Sequence, residues 1–227
     1  RRSGFKIRRR KACQFESGRG HQHRQGSAER MPPIPPVTKA LILACVGMFC
    51  AQLLLPPWFE GLLALWPIGS GRWMPWQLLS YGLLHGDMVH LFFNMLGLWM
   101  FGSEIERLWG GKRYLQFIVA SVLSAAVVQL LWTLLTGHGA PTVGASGALF
   151  GLLLAFGMMF PNRTIIPLFP PIPMKAKVFV AVFGGLELLF GLSGAMGIAH
   201  FAHLGGMLGG FLMIQYWRGR APFGRRR

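Results

Sequence analysis

The chain has 227 residues, of which 52% are apolar and only 13% charged, with 31 Gly, 18 Phe and 8 Trp. This composition is typical of a membrane protein with several spans and argues against an ordinary soluble domain. The net charge is +16, but the two tails, residues 1–30 and 218–227, supply +13 of it. Basic charge outside an apolar core favours roles in topology and lipid-surface attraction. Nucleic-acid binding is not predicted, because it needs a basic folded face.

The apolar segments predict the fold. A spanning helix needs roughly 17–25 mostly apolar residues. The predicted spans are 37–55, 88–102, 114–135, 144–160, 177–194 and 198–217. Residues 56–84 are instead broken by prolines and rich in tryptophan, which is typical of the membrane interface. The sequence therefore predicts an all-α, polytopic membrane protein: six transmembrane helices in a compact bundle, with a half-embedded loop between helices 1 and 2.

Three regions follow from this pattern. Residues 1–30 are expected to be a basic, disordered tail, because a segment rich in Arg, Gly, Ser and Gln has little with which to build a core. Residues 31–217 form the predicted six-helix membrane domain, and residues 218–227 a basic cytoplasmic tail. Met31, followed by Pro-Pro-Ile-Pro-Pro, looks like a natural start, so residues 1–30 need not belong to the mature protein.

Loop charges predict the orientation. Basic residues are frequent in the loops between spans two and three and between spans four and five, whereas the opposite loops carry only Arg72. By the positive-inside rule both termini are cytoplasmic, and we expect a bacterial inner membrane. Ser146, His85, His90 and His203 then all lie toward the periplasmic ends of their helices.

Residues at this shared depth are suited to acyl transfer. Histidine is the usual base that activates a serine near neutral pH, and the start of a helix offers N–H groups to a developing oxyanion. His90 and Asn94 are four residues apart and project from one helix face as two further donors. Glycine pairs at 147 and 151 and at 206 and 210 allow close helix packing, which would bring Ser146 and His203 together.

An acidic third member of the site is not predicted. Asp87 is the only Asp, and it stands in a turn, where a solvated or helix-capping role is expected. Glu187 is the one acid in the middle of a span, and we interpret it as a packing or lipid-facing residue. The residues therefore favour a Ser–His dyad over a triad.

Taken together, these motifs resemble the rhomboid intramembrane serine proteases. The resemblance covers residues from Pro75 to about Gly210 and rests on three ordered motifs: His-Leu-Phe-Phe-Asn at 90–94, Gly-Ala-Ser-Gly at 144–147 and Ala-His-Leu-Gly-Gly at 202–206. It implies a Ser146–His203 dyad, an oxyanion site from His90, Asn94 and the Ser146 N–H, and cleavage of single-span membrane proteins without a cofactor or a metal.

The resemblance also assigns supporting residues. Gly144, Gly147 and Gly206 belong to its motifs, His85 matches a structural histidine, and Glu106 belongs to a cytoplasmic Glu/Arg motif of structural role. His203 is preferred over His200 as the base because Gly206 follows it by three positions; His200 is expected to face the loop or the interface.

Two positions depart from the family pattern. Phe150 replaces a tyrosine that can stack on the base, and this change keeps the stacking but loses the phenol hydrogen bond. Gln77, after Trp76, replaces a loop arginine, which bears on how the loop is anchored and not on catalysis.

Three other functions compete with the protease. A proton-coupled transporter would need ionisable residues along a path through the bilayer, whereas these cluster at one depth. A metal site of His85, His90, His200 and His203 has poor ligand spacing and leaves the serine unexplained. An inactive relative that binds membrane clients stays open as an alternative. Oligomeric state and substrate identity are not predicted.

Overall fold

The computed structural model describes residues 32–137, 140–168, 170–193 and 199–219. Within these ranges the chain forms helices α1 Pro36–Leu54, α2 Trp58–Leu63, α3 Gln77–Ser80, α4 Met88–Gly97, α5 Ser103–Trp109, α6 Gly111–Thr136, α7 Ser146–Met159, α8 Ala176–Ser193 and α9 His200–Trp217. A 3-10 turn, Tyr81–Leu83, follows α3, and a π-helical segment, Leu98–Gly102, joins α4 to α5. The predictions for residues 1–30 and 220–227 lie outside the described residues.

The mostly helical prediction is confirmed, and each predicted span coincides with a helix. In the described part of the chain, α1, α6 and α8 are long and apolar enough to cross a membrane, and α7 is a shorter apolar helix. Helix α9 has 18 residues but includes two histidines and several glycines, which lower its hydropathy. The number of six spans and the half-embedded position of the loop stay predictions.

A small pair of strands adds to the predicted helices. Thr164–Ile165 (β1) pairs antiparallel with Met174–Lys175 (β2) between α7 and α8. Two-residue strands are too short to produce a recognisable period, so the sequence analysis missed them. The Ala176 N–H donates to the Arg163 carbonyl at 2.8 Å, which ties the start of α8 to this hairpin.

A buried carboxylate fixes the start of α1. Both oxygens of Glu106 accept hydrogen bonds there: from the Val37 N–H at 2.9 Å, and from the Thr38 N–H and hydroxyl at 2.7 and 2.8 Å. The first N–H groups of a helix have no acceptor within the helix, and a negative charge there also interacts favourably with the helix dipole. Glu106 thus caps α1 from α5.

The long loop between α1 and α4 is built around Gln77, which is fully buried. Its Oε1 accepts from the N–H groups of Trp66 and Met74 at 3.3 and 3.1 Å, and its Nε2 donates to the carbonyls of Leu62 and Arg72 at 3.2 and 3.0 Å. Gln77 therefore anchors the loop through four hydrogen bonds. Arginine has no acceptor and could not reproduce this pattern.

Glycines let α9 approach two helices at once. A Cβ at Gly206 would collide with the carbonyl group of Gly147 on α7, and a Cβ at Gly210 would lie 3.3 Å from the Cα of Gly151. The alternate pair faces α6: a Cβ at Gly205 would lie 2.9 Å from the Cα of Ala125. Because the backbones are in direct contact, α7 and α9 have one relative position.

Candidate active site

Ser146 is the first residue of α7, and the segment before it is held by backbone hydrogen bonds to the loop. Thr142 and Leu65 exchange two of them, at 2.9 and 3.0 Å, and the Gly144 N–H donates to the Tyr81 carbonyl at 2.9 Å. Tyr81 is fixed in turn, since its hydroxyl donates to the Val122 carbonyl at 2.9 Å. The loop built around Gln77 therefore determines where α7 and its first serine begin.

Gly144 is required by its conformation and by its neighbour. Its φ of +126° is a value that residues with a side chain rarely adopt. A Cβ there would also lie 2.7 and 2.8 Å from Cε1 and Nε2 of His90, and 3.5 Å from the Ser146 hydroxyl oxygen. Glycine thus makes room for the His90 imidazole beside the serine.

His203 is the direct partner of the serine. Its Nε2 lies 2.8 Å from the Ser146 Oγ, across the glycine contact between α7 and α9. The ring of Phe150 stacks on the imidazole with centroids 4.3 Å apart and planes at 7°, which is the stacking expected from the sequence. His203 is 8% exposed and Ser146 is half-buried, so the pair lies at the edge of the packed interior.

The start of α4 places His90 and Asn94. Asp87 is the N-cap, and its Oδ1 accepts from the His90 N–H at 2.8 Å, which confirms the expected capping role. The buried Asn94 donates from Nδ2 to the His90 carbonyl at 2.8 Å, while its Oδ1 has no hydrogen-bond partner among the described residues. An amide nitrogen has two N–H groups, so one donor of Asn94 is available for another acceptor.

His85 has a structural position. Its backbone exchanges two hydrogen bonds with the Gln52 side chain of α1, at 3.0 and 3.1 Å, and its ring meets the His90 ring edge-on with centroids 5.2 Å apart. Burial, with a smaller effect from neighbouring His90, lowers the pKa of His85 to about 4. His85 is therefore neutral near pH 7, and it supports the ring that stands beside the serine.

Glu187 and His200 are placed differently from the sequence expectation. The Glu187 side chain is only 14% exposed, and its Oε2 lies 2.7 Å from Nδ1 of His200 and 2.8 Å from Nδ1 of His203. His200, expected to face the loop or the interface, is 6% exposed, and its ring meets the Glu187 carboxylate. The lipid-facing interpretation of Glu187 was wrong, because the rotation of α8 about its axis, which turns Glu187 toward α9, cannot be read from an apolar segment.

The two contacts of Glu187 differ in quality. The His200 contact is a hydrogen bond, whereas His203 Nδ1 is buried and has no partner in good hydrogen-bond geometry despite the 2.8 Å separation. The short distance and the poor angle together describe a bent contact.

The same three residues are also a possible ligand set for a metal ion. Among the described residues, the donor atoms of Glu187, His200 and His203 lie within 4.8 Å of one another. His85 and His90, which the alternative metal site required, are not in this group.

The structure thus brings most of the predicted site residues together: Ser146, His203, Phe150, Gly147 and Gly206 form one contact region, and His90 adjoins it through Gly144. Asn94 and His85 surround His90. The residues that sequence reasoning missed are Glu187 and His200. A signal for them existed, because a lone carboxylate in an apolar helix is costly and needs a partner.

Comparison with known proteins identifies similar chains. The family model of the Rhomboid domain matches residues 72–220. Rhomboid protease GluP of Bacillus subtilis (strain 168) is 31% identical over 145 residues, covering 63% of this chain and 26% of that protein. Presenilin-associated rhomboid-like protein A, mitochondrial, of Danio rerio is 29% identical over 188 residues, covering 80% of this chain and 48% of that protein. Rhomboid protease GlpG of Yersinia pestis (strain Pestoides F) is 28% identical over 186 residues, covering 80% and 62%. The chain therefore spans less than two thirds of the length of these relatives.

Proposed function

Because this chain belongs to the rhomboid family, we propose that it is a serine endopeptidase that cleaves peptide bonds in or near the transmembrane segments of membrane proteins. Relatives that carry the name rhomboid protease support this class of reaction. The observation that carries the proposal is the 2.8 Å separation between Ser146 Oγ and His203 Nε2. A neutral imidazole at this distance can take the hydroxyl proton as the oxygen attacks a carbonyl carbon.

The reaction is acyl transfer in two steps. Ser146 Oγ bonds to the substrate carbonyl carbon while its proton passes to His203 Nε2, and the same proton then goes to the leaving amine. Water next attacks the acyl-enzyme, giving its proton to Nε2, and the serine regains a proton as the carboxylic acid leaves. Phe150, stacked on His203, keeps the imidazole plane in one orientation through both steps.

Charge on the substrate oxygen needs donors near Ser146. The first N–H groups of α7 have no intrahelical acceptor, and the helix dipole is positive at this end. The His90 ring lies beside the serine at Gly144, and Asn94 has one N–H not used by the His90 carbonyl. We assign these groups to oxyanion stabilisation, for which a single donor contributes about 10²–10³ in kcat in other serine proteases.

Substrate access follows from the placement of the site. A peptide bond inside a helix is shielded and already hydrogen-bonded, so the substrate helix must partly unwind before attack. Single-span membrane proteins are the proposed substrates, as the resemblance of the motifs to rhomboid proteases implies. We place the protein in the lipid bilayer of a bacterial inner membrane. The loop charges support an orientation with both termini cytoplasmic and Ser146 toward the periplasmic side.

The test uses purified protein in liposomes with a single-span reporter substrate. We expect the intact chain to cut the reporter, and Ser146→Ala and His203→Ala to lose cleavage while remaining folded. Ser70→Ala is the matched control, because Ser70 is an exposed serine in the loop, where its Oγ accepts from the nearby Arg72 N–H. It is expected to cut at the rate of the intact chain.

Two results would overturn the proposal. If the intact chain cuts none of a panel of reporters, the proposed function becomes the binding of membrane clients without cleavage. If Ser146→Ala cuts as fast as the intact chain, the activity belongs to another site or to a contaminant.

A further inference from the structure

The charged residue Glu187 has no role in the mechanism proposed above. It is the one Asp or Glu among the described residues of α6, α7, α8 and α9, and its side chain is 14% exposed. A carboxylate in such a helix is expensive to bury unless it is paired. Its Oε2 meets two imidazole nitrogens, Nδ1 of His200 at 2.7 Å and Nδ1 of His203 at 2.8 Å.

The side of His203 that Glu187 meets is the important point. Nε2 of the same ring is directed at the Ser146 Oγ, so the serine and the carboxylate stand at opposite nitrogens. To accept the serine proton at Nε2, the neutral ring must carry its own proton on Nδ1, which is the nitrogen facing Glu187. A carboxylate at that position favours this tautomer and stabilises the imidazolium that forms during attack.

The face of α8 that carries Glu187 is shaped to reach α9. Gly184 and Gly191 lie three residues before it and four after it on the same side. A Cβ at Gly184 would lie 3.1 Å from the Met207 methyl carbon, and one at Gly191 would lie 2.9 Å from the Phe201 ring. Small residues on both sides of Glu187 thus let α8 come close enough for the carboxylate to reach the base.

We propose that Glu187 is a positioning residue for His203, making Ser146, His203 and Glu187 a catalytic triad whose carboxylate is itself held by His200. This inference rests on the proposed protease function and extends it beyond the predicted dyad. Glu187 remains ionised throughout: the proton moves between Ser146 Oγ and His203 Nε2, while Nδ1–H stays on the ring. His200, one turn earlier on α9, donates its Nδ1–H to the same oxygen and restricts the rotation of the carboxylate.

The distances favour protons over a metal ion between these groups. Separations of 2.7 and 2.8 Å are hydrogen-bond lengths. Two ligands of a tetrahedral zinc ion, with bonds of about 2.0–2.1 Å, would be about 3.3 Å apart. Nδ1 of His200 and Nδ1 of His203 also contact the same oxygen, Oε2 of Glu187. The other nitrogen of His203, Nε2, already contacts the Ser146 Oγ.

The test compares Glu187→Gln, Glu187→Asp and His200→Gln with the intact chain in liposomes. Two quantities are measured: kcat and KM for the single-span reporter, and the rate at which a fluorophosphonate labels Ser146. Glu187→Gln keeps the size of the side chain but can donate to Nδ1 and select the wrong tautomer. We expect its kcat and labelling rate to fall by about 10²–10⁴, with KM within about twofold. Glu187→Asp is expected to recover part of the rate, and His200→Gln to lose about tenfold.

The control acid is Glu60→Gln, because Glu60 is exposed on α2 and its carboxylate accepts a hydrogen bond from the Gln52 Nε2 at 3.2 Å. It should retain both rates, and thermal unfolding in detergent, measured for every variant, shows whether each variant is folded. If Glu187→Gln fails to fold, Glu187→Asp still decides the point, because a positioning carboxylate that is one methylene short must lower kcat and labelling while KM holds.

Other outcomes would overturn the inference. One is a Glu187→Gln variant that retains kcat and labelling within about twofold of the intact chain. Another is loss of activity with a chelator and recovery with Zn²⁺, which would assign the three side chains to a metal site. The two proposals fail separately: labelling that depends on Glu187 supports the triad even if no reporter is cut, whereas an intact chain labelled no faster than Ser146→Ala overturns the protease function itself.

Discussion

The two sides of α9 hold His203 in different ways. Toward α6 and α7 the contacts are backbone on backbone, with a Cβ at Gly206 meeting the Gly147 carbonyl group. Toward α8 they are made by side chains, the Phe201 ring against Gly191 and the Met207 methyl group against Gly184. Backbone contacts cannot relax unless a whole helix moves, whereas side chains can rotate. The Ser146–His203 distance should therefore be rigid, and the Glu187 contact adjustable.

The largest expected effect is at the rigid contact. In Gly206→Ala, the added methyl group would overlap the Gly147 carbonyl group and force α7 and α9 apart. We expect a loss of about 3 kcal/mol or more in the free energy of unfolding, at the upper end of overpacking effects. Fluorophosphonate labelling of Ser146 should fall at least about 100-fold, because a shift of about 1 Å in reacting groups costs that much.

Gly185→Ala is the matched control for this change. A Cβ at Gly185 has no neighbour within 4 Å among the described residues, so the substitution adds no contact. Its stability should stay the same or rise by up to about 1 kcal/mol from the better helix propensity of alanine. A Gly206→Ala variant as stable and as readily labelled as Gly185→Ala would show that the contact between α7 and α9 is not rigid.

A smaller effect is expected at the adjustable contact. Gly191→Ala would bring a methyl group within 2.9 Å of the Phe201 ring and 3.2 Å of the His200 Cβ, and so would move α8 slightly away from α9. Because Glu187 lies one turn earlier, its contact with His203 should lengthen. We expect kcat to fall about tenfold, with KM within twofold and a stability change under about 1.5 kcal/mol.

Gly185→Ala is also the control for Gly191→Ala. Gly185→Ala, on the open face of α8, should leave kcat unchanged. Two results would contradict this comparison: Gly191→Ala lowers stability as much as Gly206→Ala, or it leaves kcat unchanged. Either would mean that the contact of α9 with α8 is not more adjustable than its contact with α7.

The smallest effect is expected at the stacked ring. Phe150→Leu keeps an apolar side chain of similar size but loses the ring that lies parallel to His203 at 4.3 Å. Aromatic pairs contribute about 0.5–1.5 kcal/mol beyond their burial, which corresponds to roughly a two- to tenfold loss in kcat. Phe150→Tyr keeps the ring and should stay near the original rate. Equal rates for the leucine and tyrosine variants would mean that the stacking does not orient the base.

The elements of this fold were predictable because their signals are local. Apolar length located all of the helices that carry the site, and helix-start position placed Ser146 and His90 near the ends of α7 and α4. The resemblance to the family pattern, in which Gly206 follows the base by three positions, favoured His203, and the Nε2 of this residue lies 2.8 Å from the Ser146 Oγ. The patterns behind these inferences involve only residues within a few turns of one another.

The hydrogen bonds of Gln77 could not be predicted from local sequence patterns. As a departure from a family pattern it raised a question about the loop, yet its amide makes four hydrogen bonds to backbone groups between residues 62 and 74. Which backbone groups surround an amide depends on how the loop folds back on itself. That path has no period in the sequence.

By itself, the sequence determined the helices, the position of Ser146 and His90 near helix starts, and the glycines that allow close packing. Only the tertiary structure decided which helix each glycine pair faces and that Glu187 turns toward His200 and His203 rather than toward lipid. The physical reason is that α8 is apolar on every side, so its hydrophobic pattern does not determine its rotation about its own axis. Packing against α9, through Gly184 and Gly191, does.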